Sequence, residues 1–383
     1  MKTRLYTPNV ILVLIASFFY MMSSMLITPI IAEFTQSIGA TSAIAGLIAG
    51  IMNITSLLLR PIAGNLTDRV SKYQLTMIGA SFLLLANLGY SLTTNIALIT
   101  FLRIINGLGY TLCSVCMSTW IADLLPPTRV GAGMGIYGLA NALGMACGPA
   151  ISIYLYKHVS HQSSFWVAAF SSLFLIIIIQ FVTNRGLPTK SSKASKPHHL
   201  RIVQPRVVPI AIILLLFSLP YFATQTYIVS YIARRHFNVS PGIFFPIYAV
   251  ILLVLRLSMR DLFDRVPFRK FLWISLLGNF VGLIGLTYLT NWFLLLISTT
   301  GLAVGYGLMF SICQAKALMV VNQNEHGIAN STFFIGVDLG MSLGPITGGL
   351  ISNFLPMAWF YPMMMITLPL IVWVYWANRK LLG

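Results

Sequence analysis

Acidic side chains are scarce in this 383-residue chain: seven Asp and Glu stand against 24 Lys and Arg, and charged residues make up only 8% of the sequence. A soluble domain carries roughly 25%. With 57% hydrophobic residues, the chain cannot cover itself with a water-facing surface, which excludes an ordinary soluble globule and leaves lipid as its solvent. Cysteine is also sparse. Cys113, Cys116, Cys147 and Cys313 all lie inside apolar runs. The Cys113-x-x-Cys116 pair has no second ligand pair and no soluble redox surroundings, so it reads as helix packing and implies neither zinc nor disulfides. No Walker A loop, dinucleotide fingerprint or metal-ligand cluster occurs, so no cofactor is expected and an ATP-driven motor is excluded. No Ser/His/Asp set or paired-carboxylate constellation stands out, so no enzyme is expected either.

The sequence does contain long apolar runs. A membrane-crossing helix needs about 20 apolar residues. Runs of that kind lie at 9–32, 44–62, 74–93, 96–120, 132–156 and 164–184, then at 207–231, 241–259, 270–289, 292–318, 328–353 and 357–377. The first is too long for a secretory signal and is read as a span. This predicts an all-α membrane protein of twelve transmembrane helices. Its parts are an N-terminal six-helix bundle at 1–184, a cytoplasmic linker at 185–206 rich in Lys, Ser, Pro and His, and a C-terminal six-helix bundle at 207–383.

The formal charge of +17 is concentrated in short gaps between the runs. Seventeen basic residues fall in the termini and in alternate loops; only Lys157, Arg234 and Arg235 fall in the opposite ones. The positive-inside rule therefore predicts a multi-pass cell-membrane protein with both termini cytoplasmic. The same pattern argues against nucleic acid as a partner, since no basic soluble module exists to hold it.

An internal repeat runs at a constant offset of 196 residues. Leu59-Arg60 matches Leu255-Arg256; Leu66, Asp68, Arg69 and Val70 match Leu262, Asp264, Arg265 and Val266. Gly109, Tyr110 and Leu112 match Gly305, Tyr306 and Leu308, and Gly131 matches Gly327. Gly144-Met145 and Gly148-Pro149 match Gly340-Met341 and Gly344-Pro345. Five blocks in one register predict two homologous halves, an architecture used by secondary transporters.

Three motifs resemble those of the major facilitator superfamily, in particular its twelve-helix drug/metabolite:proton antiporter branch. The stretch from Gly64 through Asp68-Arg69 to Lys72, read as the loop after the second span, is similar to the family's G-x-x-x-D-R-x-G-R-R/K, with Ser71 in place of the second Gly. The resemblance implies a cytoplasmic latch in which Arg69 pairs with Asp123 and Asp68 caps the eleventh helix. Asp264 and Arg265 repeat the Asp-Arg pair, but Arg260 replaces the Gly and Met319 the Asp123, so the second copy is expected to be degraded. Arg103-x-x-Asn106-Gly107-x-Gly109 resembles R-x-x-x-G-x-G. Gly138, Gly144, Gly148 and Pro149, with Gly340, Gly344 and Pro345, resemble the antiporter glycine motif, although Ile151 and Ser152 replace its final Gly-Gly in the first copy. Glycines at fourth positions allow close helix approach.

Of the seven acids, only Asp338 is deep within a span. It stands 11 residues after Gly327, or roughly 16 Å along a helix. An ionisable group at such depth is functional by default. Asp338, in Asp338-Leu339-Gly340 as the family often shows, and Arg103 are the candidates for proton coupling or substrate binding. With one deep carboxylate and one deep arginine, the cavity is expected to be near neutral. Family architecture further implies cavity-lining roles for Ser23, Ser24, Asn106, Tyr110, Tyr221, Gln225, Tyr227 and Gln314.

The expected function is proton-coupled efflux of small organic molecules or drugs, with the halves rocking in alternating access and the chain acting as a monomer. Proton-coupled metabolite import, lipid flipping and a transport-inactive sensor are the competing readings.

Overall fold

The computed structural model describes residues 6–187, 201–235, 237, 244–259, 262 and 266–382. Among them, eleven helices are long and apolar enough to cross a membrane, and a twelfth apolar helix, Phe244–Ser258, is shorter. In chain order the helices are α1 (Pro8–Ser37, irregular after Ile27), α2 (Ser42–Arg69), α3 (Lys72–Leu92), α4 (Ile96–Leu124), α5 (Val130–His158) and α6 (His161–Gln180). They continue as α7 (Val208–Arg234), α8 (Phe244–Ser258), α9 (Phe268–Thr287), α10 (Trp292–Met319), α11 (His326–Phe354) and α12 (Met357–Ala377, broken after Met364). Residues 241–243 of the eighth predicted span lie outside the described residues.

Helix starts follow from capping chemistry. Thr7 accepts from the amide of Val10 and Pro8 occupies the first turn of α1, where its missing N–H costs nothing. Asn95 caps α4 and Asn291 caps α10, each through its side-chain oxygen to the amide three residues on. These two asparagines are themselves 196 residues apart, so the repeat extends to the caps.

One compact unit comprises the described residues of Met1–Gly133, Tyr137–Ile202 and Asn322–Ser331. In it α4 packs against α2 and α3, and α6 against α1 and α3. Tyr90, Phe165, Phe34 and Ile99 form part of its apolar core. The second unit comprises the described residues of Met134–Ile136, Val203–Val321 and Thr332–Gly383. There α9 packs against α10, α8 against α10, and α12 against α7. The first turn and a half of α11 thus groups with the first unit and the rest of that helix with the second.

The second span was expected to end at 62, with Gly64 to Lys72 in a loop. Instead α2 runs to Arg69, only Val70 and Ser71 form the turn, and Lys72 opens α3. Hydropathy marks where the apolar run stops. Backbone hydrogen bonding carries the helix two turns further, because Gly64, Thr67 and Asp68 there meet the start of α11.

Candidate functional site

At the end of α2, the Asp68 carboxylate accepts from two backbone amides, Gly327 N at 2.6 Å and Ile328 N at 3.0 Å. Both amides lie in the first turn of α11, where no intrahelical acceptor exists and the helix dipole favours negative charge. The approach depends on glycine. A Cβ on Gly64 would fall 2.6 Å from Cβ of Ser331, and one on Gly327 2.5 Å from the Gly64 carbonyl. Asn330 donates to Thr119 on α4 at 3.0 Å, and the Ser331 hydroxyl to the Arg60 carbonyl at 2.5 Å, so α2, α4 and the start of α11 are tied together.

The expected partner of Asp123 was Arg69. The structure seats Lys72 there instead, 3.1 Å away, with His326 Nδ1 on the other carboxylate oxygen at 2.9 Å. Arg69 ends α2 and its side chain is exposed, whereas Lys72 is 3% exposed. The turn at Val70–Ser71 rotates Lys72 inward, and the segment before the linker holds it: Lys72 N donates to Gly186 O and Ser71 Oγ to Arg185 O. His326 carried no motif signal. Asp264 and Arg265, the second copy, lie outside the described residues.

Arg103 on α4 is fully buried. Its guanidinium reaches the Ala49 carbonyl at 3.3 Å and Asn106 Oδ1 at 3.4 Å, and lies beside Tyr90. Asn106 continues to Asn87 at 3.5 Å, and Asn87 donates to Ser23 and Ser172 at 2.9 and 3.0 Å. This buried polar chain crosses α1, α2, α3, α4 and α6. Asn87 and Ser172 complete it and carried no motif to flag them; a lone Asn in an apolar run was the available signal. Ser23 therefore faces α3 and α6, and Ser24 bonds its own helix at Tyr20 O.

Two further arginines are buried. Arg60 on α2 lies over the Tyr110 ring, 5.5 Å to its centroid, and donates to the Ser114 hydroxyl. Arg256 on α8 is 3% exposed and donates to Gly307 O at 3.1 Å, with Tyr221, Tyr248 and Tyr306 around it. Tyr221 stacks on Tyr306 at 4.5 Å and accepts from Gln225 at 2.8 Å. Asp338 is 1% exposed on α11, in the second unit, and Gln314 is buried on α10. Among the described residues three guanidiniums and one carboxylate are buried, two guanidiniums more than the one deep arginine counted along the sequence. Position along an apolar run says little about which way a side chain faces, so the matched Leu-Arg pairs gave no sign of this burial.

The remaining motif residues are packing contacts. A Cβ on Gly144 would fall 2.8 Å from Phe18 O, and one on Gly148 2.8 Å from Cβ of Met25, so α5 lies directly on α1. Gly344 meets Phe222 in the same way, which lays α11 on α7, and Gly340 lies against Ser218. Pro149 and Pro345 sit inside these helices, and Gly138 is buried in α5. Tyr227 covers Gly348 and packs on Phe360, away from the Tyr221 cluster. No cluster of metal-ligating side chains occurs among the described residues.

Comparison with known proteins agrees with this architecture. The chain is 24% identical over 372 residues to an uncharacterized MFS-type transporter of Methanocaldococcus jannaschii, covering 92% of this chain and 93% of that one. It is 21% identical over 336 residues to Multidrug resistance protein 1 of Bacillus subtilis, covering 86% and 85%. The crystal structure of a bacterial homologue of the iron transporter ferroportin superposes with a TM-score of 0.77 at 14% identity, over 97% of this chain and 99% of that one, a likeness of fold alone. The family model described as Major Facilitator Superfamily matches residues 13–290 and 261–381. The chain belongs to the Major Facilitator Superfamily and is a secondary transporter of that fold.

Proposed function

We propose that the chain is a proton-coupled exporter of small organic molecules, working by alternating access as two six-helix halves with cytoplasmic termini. The observation that carries this reading is Asp338. It is the one fully buried acidic side chain among the described residues, on a glycine-rich helix that packs closely on α7. An ionisable side chain so placed within a membrane-spanning helix is functional by default. The Asp68 cap on α11 is the contact that forms and breaks in the cycle. Similarity over most of its length to the Bacillus subtilis multidrug resistance protein supports export of organic cargo.

The test is flux in inverted membrane vesicles with an imposed proton gradient and a fluorescent organic cargo. Uptake should follow the gradient and collapse with a protonophore, and Asp338→Asn should lose the gradient dependence. Gradient-driven movement in the opposite direction would establish import, and an unaltered pH profile in Asp338→Asn would remove that residue from the coupling.

A further inference from the structure

The two arginines related by the repeat are satisfied to different degrees. In the first unit, the Arg60 guanidinium donates to Ser114 and lies over Tyr110, with Tyr137 also within electrostatic reach. The positions 196 residues on are Arg256, Phe310, Tyr306 and Phe333. The tyrosine under the guanidinium is kept, but Phe310 replaces the Ser114 hydroxyl and Phe333 the Tyr137 hydroxyl. Consistent with that loss, Nε and Nη1 of Arg256 have no hydrogen-bond acceptor among the described residues; only Nη2 has one, at Gly307 O. A buried guanidinium with unfilled donors is costly to maintain.

The backbone differs at the same place. α4 is a regular α-helix from Ile96 to Leu124, whereas α10 opens into a π-helical turn over Ala303–Gly307, the residues that carry Tyr306 and the Arg256 acceptor. Such turns occur frequently at functional sites. Around it, Tyr221 stacks on Tyr306 at 4.5 Å and lies 4.9 Å from Tyr248, an aromatic wall suited to a flat apolar body.

We propose that Arg256 and the Tyr221–Tyr248–Tyr306 cluster form a binding site for the anionic group of a small aromatic organic acid, a carboxylate or phosphate monoester. The unfilled Nε and Nη1 donors lie on opposite edges of the guanidinium, so each offers one charge-assisted bond to an oxygen of such a group while Nη2 keeps Gly307 O. At 3% exposure Arg256 is closed over, so loading requires the Tyr221–Tyr306 stack to part. The inference names a substrate class for the transport reading and rests on it.

The test compares 1-naphthoate with the isosteric neutral 1-naphthamide, by calorimetry on the full chain in lipid-free detergent micelles and in nanodiscs of zwitterionic lipid. Naphthoate should bind about tenfold tighter, the scale of a single charge-assisted bond, and Arg256→Gln should abolish the preference. Phe310→Ser, which restores the hydroxyl found in the first unit while keeping the arginine, should weaken naphthoate several-fold and leave naphthamide unchanged. Equal affinities in the unaltered protein overturn the site, as does a folded Arg256→Gln that keeps the preference. If Arg256→Gln does not fold, unchanged naphthoate affinity in Phe310→Ser overturns it instead. A response only to added phosphatidylglycerol overturns the small-molecule assignment in favour of a lipid headgroup. Proton-driven flux is read separately in proteoliposomes: flux of other cargo without anion binding sinks the site alone, and anion binding without any flux sinks the transport reading alone.

Discussion

Replacing Asp68 by Asn should release the start of α11 locally and measurably. Gly327 N and Ile328 N lie in the opening turn of that helix, so the Asp68 oxygens at 2.6 and 3.0 Å are what protects them. Hydrogen bonds to a charged acceptor contribute about 1.5–3 kcal/mol each. The amide side chain offers a single neutral oxygen, so the substitution removes one bond and weakens the other. A loss of roughly 2 kcal/mol in the local opening free energy corresponds to about 30-fold faster exchange, since each 1.4 kcal/mol is tenfold. Hydrogen–deuterium exchange on peptides spanning 322–331 reads this directly, and Asp68→Ala should exceed Asp68→Asn. Unchanged exchange in those peptides would refute the reasoning. So would a uniform rise over the whole chain, because it would mean global destabilisation rather than loss of a cap.

Among the described residues Lys72→Met leaves Asp123 with His326, and breaking a buried pair costs about 3–5 kcal/mol. A clear fall in melting temperature is expected, and Lys72→Arg, which keeps the charge beside Asp123, should recover part of it; an unchanged melting temperature in Lys72→Met would remove the pair as a stabilising contact. Gly148→Leu forces α5 off Met25 on α1 and should destabilise by at least about 1–3 kcal/mol, the cost of overpacking, read as loss of monodisperse protein on heating. Asn87→Leu removes the link between Asn106 and Ser23 and Ser172; transport should fall more than stability, and an unaltered rate would make the chain of amides structural only.

Span positions were readable because the bilayer imposes a length and a composition on every crossing segment, and the repeat because both halves keep one register from Leu59 to Pro149. Residues chosen by family pattern met their neighbours unevenly. Asp68 reaches the α11 amides, since a carboxylate two turns past the apolar run has few acceptors' roles to fill other than a helix start. Arg69 does not reach Asp123, since a two-residue turn decides which of two nearby cations points inward. Ser23 turns to Asn87 and Ser172 and Tyr227 to Gly348 and Phe360, because one-dimensional position does not fix the facing of a side chain on a helix buried on several sides.

The sequence by itself determined a membrane protein of duplicated apolar helices, its glycine contact stripes and its superfamily. Those features depend on local chemistry and on spacing along the chain. Only the tertiary structure decided that Arg60 and Arg256 are buried as deeply as Arg103, that Asn87 joins Arg103 to Ser23, and that His326 shares Asp123 with Lys72. These pairings join residues from tens to hundreds of positions apart, and they follow from the rotation of each helix about its axis, a quantity set by packing against its neighbours.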